Sequence, residues 1–169
     1  MKPTAEWRKT LRSDHISFHV LFAVAIQSFC CADVTKLAAE DRRELENAPR
    51  FHEVHSTSDL PPAIVAICAG DKRKLAEPGG EWNATDVVMD PTLPGKRLIW
   101  AAVGGDYHVV HYERGGIVHT FHVLVAELAN GEAKPKVVWS AVGGPFKDYA
   151  AFLDAVRSRK LDDRLDYAH

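Results

Sequence analysis

Six histidines of this chain fall into three His-x-x-His pairs: His52/His55, His108/His111 and His119/His122. Imidazole ligates zinc, copper and nickel, and carries protons near neutral pH. If this chain performs chemistry, these pairs are where it would come from. His52 and His55 are three residues apart, one short of the zinc-protease spacing that sets two histidines on one helix face. The other two pairs fall in strand-like sequence, where register decides their meaning. A three-residue turn through Arg114, Gly115 and a left-handed Gly116 sets His111 opposite His119 and His108 opposite His122. Directly opposed side chains have Cβ atoms ~5 Å apart, near enough to share a metal or a proton. A two-residue Gly115-Gly116 turn pairs Tyr112 with His119 instead. Because positions 108 and 111 differ by an odd number, a regular hairpin sends them to opposite faces, which excludes one four-histidine site. The candidate metal set is therefore His111, His119 and Glu113. Functional metal sites ordinarily need three such ligands. The competing reading has these histidines filling half-buried strand positions, with no cofactor; the alternative is a divalent transition metal.

Other catalytic patterns are missing. The sequence has no nucleophile elbow, no phosphate-cradling Gly-x-x-x-x-Gly-Lys and no dinucleotide fingerprint. The reading leans towards a non-enzymatic binding domain, with Trp82, Trp100, Tyr107 and Trp139 as candidate ligand contacts. The alternative is a metal-binding or metal-dependent hydrolytic protein using the strand histidines. Trp82 is either a plug that pins its loop or a stacking face. Segments 100–107 and 139–146 match at five of eight positions, each with a Trp and an exit through a Gly pair. Such pairs suit sharp strand exits.

The elements that would position these residues follow from periodicity. Residues 33–48 read as a surface helix stopped by Pro49. Residues 50–62 read as irregular, and the apolar run 63–69 as a buried strand. Residues 70–96 are rich in turn formers, with a possible short strand at 86–89. Four strands follow at 97–103, 107–113, 117–128 and 136–142, separated by short Gly-bearing turns. Neighbours joined so briefly pair antiparallel. Pro145 is read as opening a last helix with Phe146, Tyr149, Leu153 and Val156 on one stripe. The expected fold is α+β: one antiparallel meander of four to six strands, with the N- and C-terminal helices on one face. The other face is expected to stay open for binding.

Residues 1–32 have the three parts of a secretory signal: Lys2, Arg8, Lys9 and Arg12, then an apolar centre, then a small-residue exit at Cys30 and Ala32. The apolar run over 16–32 is short of the ~20 residues a spanning helix needs; a retained anchor is the alternative. Residues 33–169 then form one globular domain, periplasmic or secreted. The whole chain has 21 basic and 23 acidic side chains. Removing the leader's four cations with Glu6 and Asp14 leaves 17 and 21, a net charge of −4. That balance speaks against nucleic acid as a partner. A protein, glycan or small molecule is expected, and no membrane once the leader is gone. Cleavage also leaves Cys68 as the lone cysteine, so no internal disulfide forms. A free thiol in an apolar run reads as a small hydrophobe. Asn83-Ala84-Thr85 fits a glycosylation acceptor.

Overall fold

Short turns make the meander. The computed structural model describes residues 37–70 and 74–161. The leader expected at 1–32, and the first four residues of the helix expected over 33–48, lie outside the described residues. The strands are β1 (His52–Val54), β2 (Lys96–Gly104), β3 (Tyr107–Arg114), β4 (Thr120–Glu127) and β5 (Lys136–Gly143). They form one antiparallel sheet in the order β1-β2-β3-β4-β5. Gly104 pairs with Tyr107, so the β2–β3 turn holds two residues, and Gly105 takes φ 63° there. A glycine meets that left-handed requirement without a Cβ penalty.

Three helices accompany the sheet: α1 (Ala39–Glu46), α2 (Pro62–Ala69) and α3 (Tyr149–Arg157). None of the described helices is long and apolar enough to cross a membrane. The expected strand at 63–69 is a helix, α2. Pro62 stands at its start, where the missing N–H costs nothing. Gly70 ends it at φ 67°. Ile64 and Cys68, four apart, are buried while Ala66 is exposed. An all-apolar run carries no period of its own, so the flanking Pro and Gly decide. The last helix starts at Tyr149 rather than Pro145, because Asp148 caps it by accepting from Ala151 N–H at 2.8 Å. The expected strand at 86–89 is absent; only Thr85 forms an isolated parallel bridge, to Gly116.

Each face of the sheet has a core. Trp100, Val109, Val123, Val125 and Trp139 share one cluster with Leu45 of α1 and Phe152, Leu153 and Val156 of α3. Burying each of those α3 side chains is worth roughly 1.5–3 kcal/mol. Leu98, Ala101, Val110 and Leu124 share the second with Ile64 and Cys68 of α2. The face expected to stay open therefore carries α2 over part of its area. Leu98 and Trp100, two apart, belong to different cores. Side chains two apart ordinarily share a face; a register shift between Leu98 and Trp100 separates them, with Ile99 as the extra residue.

Candidate functional site

The β3–β4 register differs from both turns considered from sequence. Arg114 pairs with Thr120, leaving a five-residue loop over 115–119. His111 faces Val123, His122 faces Tyr112 and His108 faces Ala126. The opposed histidine pairs expected from sequence do not form. Ile117 and Val118 read as strand, yet they are loop residues, 91% and 68% exposed.

Of the expected metal set, the structure brings two members together. His119 Nε2 lies 2.7 Å from Glu113 Oε2, and Arg97 Nε donates to Glu113 Oε1 at 2.6 Å. Trp82 stands beside both partners, 5.5 Å from the His119 ring and 5.1 Å from the Arg97 guanidinium. Arg97 also donates to Gly80 O, so this group ties the Trp82 loop to the sheet. The third member is spent elsewhere. His111 is fully buried; its Nδ1–H donates to His122 O at 2.8 Å, and its Nε2 accepts Phe146 N–H at 3.1 Å. Burial pushes its pKa below the ordinary histidine value, outweighing the carbonyl and Glu113. His111 is thus a neutral clasp on the β5–α3 crossover. Trp100 reinforces it by donating from Nε1 to Phe146 O at 2.9 Å. No group of three or more metal-ligating side chains occurs among the described residues.

The remaining aromatic candidates are apart from this cluster. Tyr107 donates to Asp41 at 2.8 Å, fastening α1 to β3. Trp139 is buried in the core, and its Nε1 has no acceptor. His52 lies on the edge strand β1, and His55 pairs with Glu53 at 3.0 Å. Cys68 is buried, which pushes its thiol up to about 12 and keeps it from acting as a nucleophile at neutral pH. Asn83 is also buried, its Nδ2 donating to Asp90 O (2.8 Å) and Leu93 O (3.0 Å). Its amide is committed to the fold, so the Asn83 sequon does not present a free acceptor.

Sequence reading missed Lys96 and Arg114, which face each other across β2 and β3. They line a cleft of about 490 Å³ with Ala69 and Gly70 of the α2 end, Thr85, Asp86 and Val88 of the loop, and Gly116. Lys96 Nζ donates to Cys68 O at 2.7 Å, capping α2, and stands 5.3 Å from the Tyr112 ring centroid. Tyr112 in turn stacks on His122, ring centroids 5.0 Å apart. His122 is driven down to about 4, by burial first and then by Lys96, Arg114 and His111. The cleft wall is firmly built. Gly115 N–H donates to Gly95 O at 3.0 Å, and Asn83 N–H to Pro94 O at 2.8 Å. A Cβ on Gly115 would lie 2.0 Å from the Asn83 carbonyl oxygen, so only glycine permits this approach. The loop is pinned by its own main chain, with Trp82 helping from the other face.

The signal that could have found the cationic pair was the β2–β3 register, but the extra residue at Ile99 hides it. Counting back from the Gly104–Tyr107 turn in regular alternation puts Arg97, not Lys96, against Arg114. Comparison with protein-family models, curated proteins and solved structures finds no match to this chain.

Proposed function

We propose that the chain is an exported binding domain that takes a small anionic ligand in the cleft between α2 and the 83–88 loop. The observation that carries this reading is the cross-strand pair Lys96/Arg114 at the cleft wall. Like charges directly opposite on neighbouring strands destabilise a hairpin, on the order of 0.2–1 kcal/mol. One position away, Arg97 and Glu113 show the same strands pairing opposite charges. The exposed Arg114 at the wall of a concavity of small-molecule size fits a ligand that meets its guanidinium. Among the described residues of the lining, Asp86 is the one carboxylate, beside the two cations Lys96 and Arg114. Arg114 suits a carboxylate or phosphate group, which its planar fork meets with two hydrogen bonds.

Calorimetric titration with citrate and with inorganic phosphate at low ionic strength tests this. Binding is expected to weaken as salt rises and to fall at least tenfold in Arg114→Gln. Absence of binding to either anion, or an unchanged affinity in the variant, sinks the reading. Export is supported by the cationic, apolar and small-residue parts of 1–32. Mass spectrometry of the secreted or periplasmic protein should find Asp33 as the first residue; an intact Met1 contradicts cleavage.

A further inference from the structure

The two edges of the sheet differ in length. β1 offers three residues, and short edge strands give an added strand little to pair with. β5 offers eight, Lys136–Gly143, with no proline among them. Among the described residues, the main chain of 136–143 hydrogen-bonds only to β4. A bulge sorts the side chains along this edge. Trp139 pairs with Val125 and Val137 with Ala126, so Val138 is an extra residue. Val138, Trp139 and Ala141 pack into the core that holds α1 and α3. Val137, Ser140 and Val142 therefore share the other face, although 137 and 142 differ by an odd number. On that face the neighbouring β4 residues Leu124 and Ala126 are buried with α2. Their β5 partners are not: Ser140 is exposed, and Val137 is 50% exposed, with Val142 at 37%. The cover of this face ends at β4, leaving two exposed valines beside an open ladder.

We propose that β5 pairs antiparallel with β5 of a second copy of this chain, about a two-fold axis at Ser140. Ser140 then opposes its own symmetry mate, Trp139 opposes Ala141, and each Val137 meets a Val142 across the bulge. Every such pair joins side chains from the same face, as an antiparallel ladder demands. Lys136, the one charged side chain of the strand, falls against Gly143. No like charges meet there, and Lys136 keeps its own Glu127 at 3.4 Å. The match is what favours a second copy over a foreign strand: one register satisfies face, charge and valine contacts twice over. It also closes on itself. Both long edges are consumed, and the joined sheet ends in the short β1 on either side.

Sedimentation velocity of the purified chain tests this, at concentrations up to about 1 mM so that weak pairs are reached. Wild type is compared with Val137→Lys, Val142→Glu and the double variant. Both positions are exposed, and thermal melts check that each variant folds. The wild type should pass reversibly from monomer to dimer as concentration rises. Either single substitution should weaken the dimer at least tenfold, because each sets a charge against a valine on both sides of the axis. In the double variant every introduced lysine meets an introduced glutamate of the other copy, and the dimer should recover to within about threefold of wild type. A chain that stays monomeric throughout overturns the proposal and leaves the edge to a foreign strand. A dimer indifferent to both single substitutions overturns it too, since the contact would then lie on another surface. A double variant no tighter than the singles rules out this register. Growth beyond the dimer contradicts the two-fold closure.

Discussion

Residues 96 and 97 are neighbours in sequence, as are 113 and 114, yet the pleat sends them to opposite sides of the sheet. On one side Arg97 meets Glu113, and Glu113 also holds His119, so the charges close on one another. On the other side Lys96 meets Arg114 in register. The lysine leans on the Cys68 carbonyl at the end of α2. The exposed Arg114 has no hydrogen bond or ion pair within the described residues. One hairpin end therefore carries a self-neutralised cluster and a cationic one, back to back. The first organises the Trp82 loop; the second faces the cleft. A strand's alternation is enough to separate holding the fold together from presenting charge to a ligand.

The largest effect should come from breaking the neutral side. In Glu113→Leu, Arg97 and His119 lose their shared acceptor in a site where that carboxylate is 8% exposed. Removing one partner of a buried pair costs about 3–5 kcal/mol; Arg97 and His119 keep water access, so about 2–3 kcal/mol is expected in urea unfolding. A loss under 0.5 kcal/mol means the cluster is decorative.

Acid should act next, through the cationic side. His122 has a folded pKa of about 4, below its unfolded value of ~6.5. The unfolded chain thus takes up the proton first, and stability falls as pH drops below about 6.5 until the folded pKa is passed. Around His122 stand Tyr112, Thr120, Lys96, Arg114 and His111. His108 and His111 are depressed by burial and push in the same direction. Between pH 7 and pH 5 a loss of about 2 kcal/mol from His122 is expected, and His122→Phe should flatten the profile over that range. A wild-type stability that holds level from pH 7 to 5 rules this out.

The smallest effect is the sharpest discriminator. Arg114→Glu turns the like-charge pair into an opposite-charge one, and should stabilise the unliganded protein by about 0.5 kcal/mol while abolishing anion binding. Greater stability bought with lost binding is what a functional cation predicts. A variant that is both less stable and binding-competent would reverse the assignment of the two sides.

Much of the sheet was legible in the sequence, because β2 to β5 are β-branched runs with glycine turns between them. The first strand was not: His52, Glu53 and Val54 are too few to show a period, and their partner β2 lies more than forty residues on. Helix α2 was misread because an uninterrupted apolar run fits a buried strand or a buried helix equally well. The candidate site was legible only as residue types. Trp82, Glu113 and His119 do come together, but through a five-residue loop. That loop's Ile117 and Val118 have strong β propensity and no partner strand. Propensity spoke for pairing there, and the main-chain bridge from Gly116 to Thr85 took the segment elsewhere. Trp100 and Trp139 looked alike in sequence. Only the first has an acceptor in reach, because only it meets the Phe146 carbonyl.

The extra residue at Ile99 has a consequence for how this hairpin tolerates change. With Ile99 paired normally, Leu98 would face Glu113 and Arg97 would face Arg114, stranding the carboxylate and setting two arginines against each other. Spelled as a two-letter alternation, β2 contains one silent letter, and every charge before it is read in the shifted frame. Deleting Ile99 should therefore leave Lys96 opposite Arg114 and Arg97 opposite Glu113. Inserting a residue anywhere between Leu98 and Gly104 has no such slack to draw on, since that part of the strand has already absorbed its one irregularity.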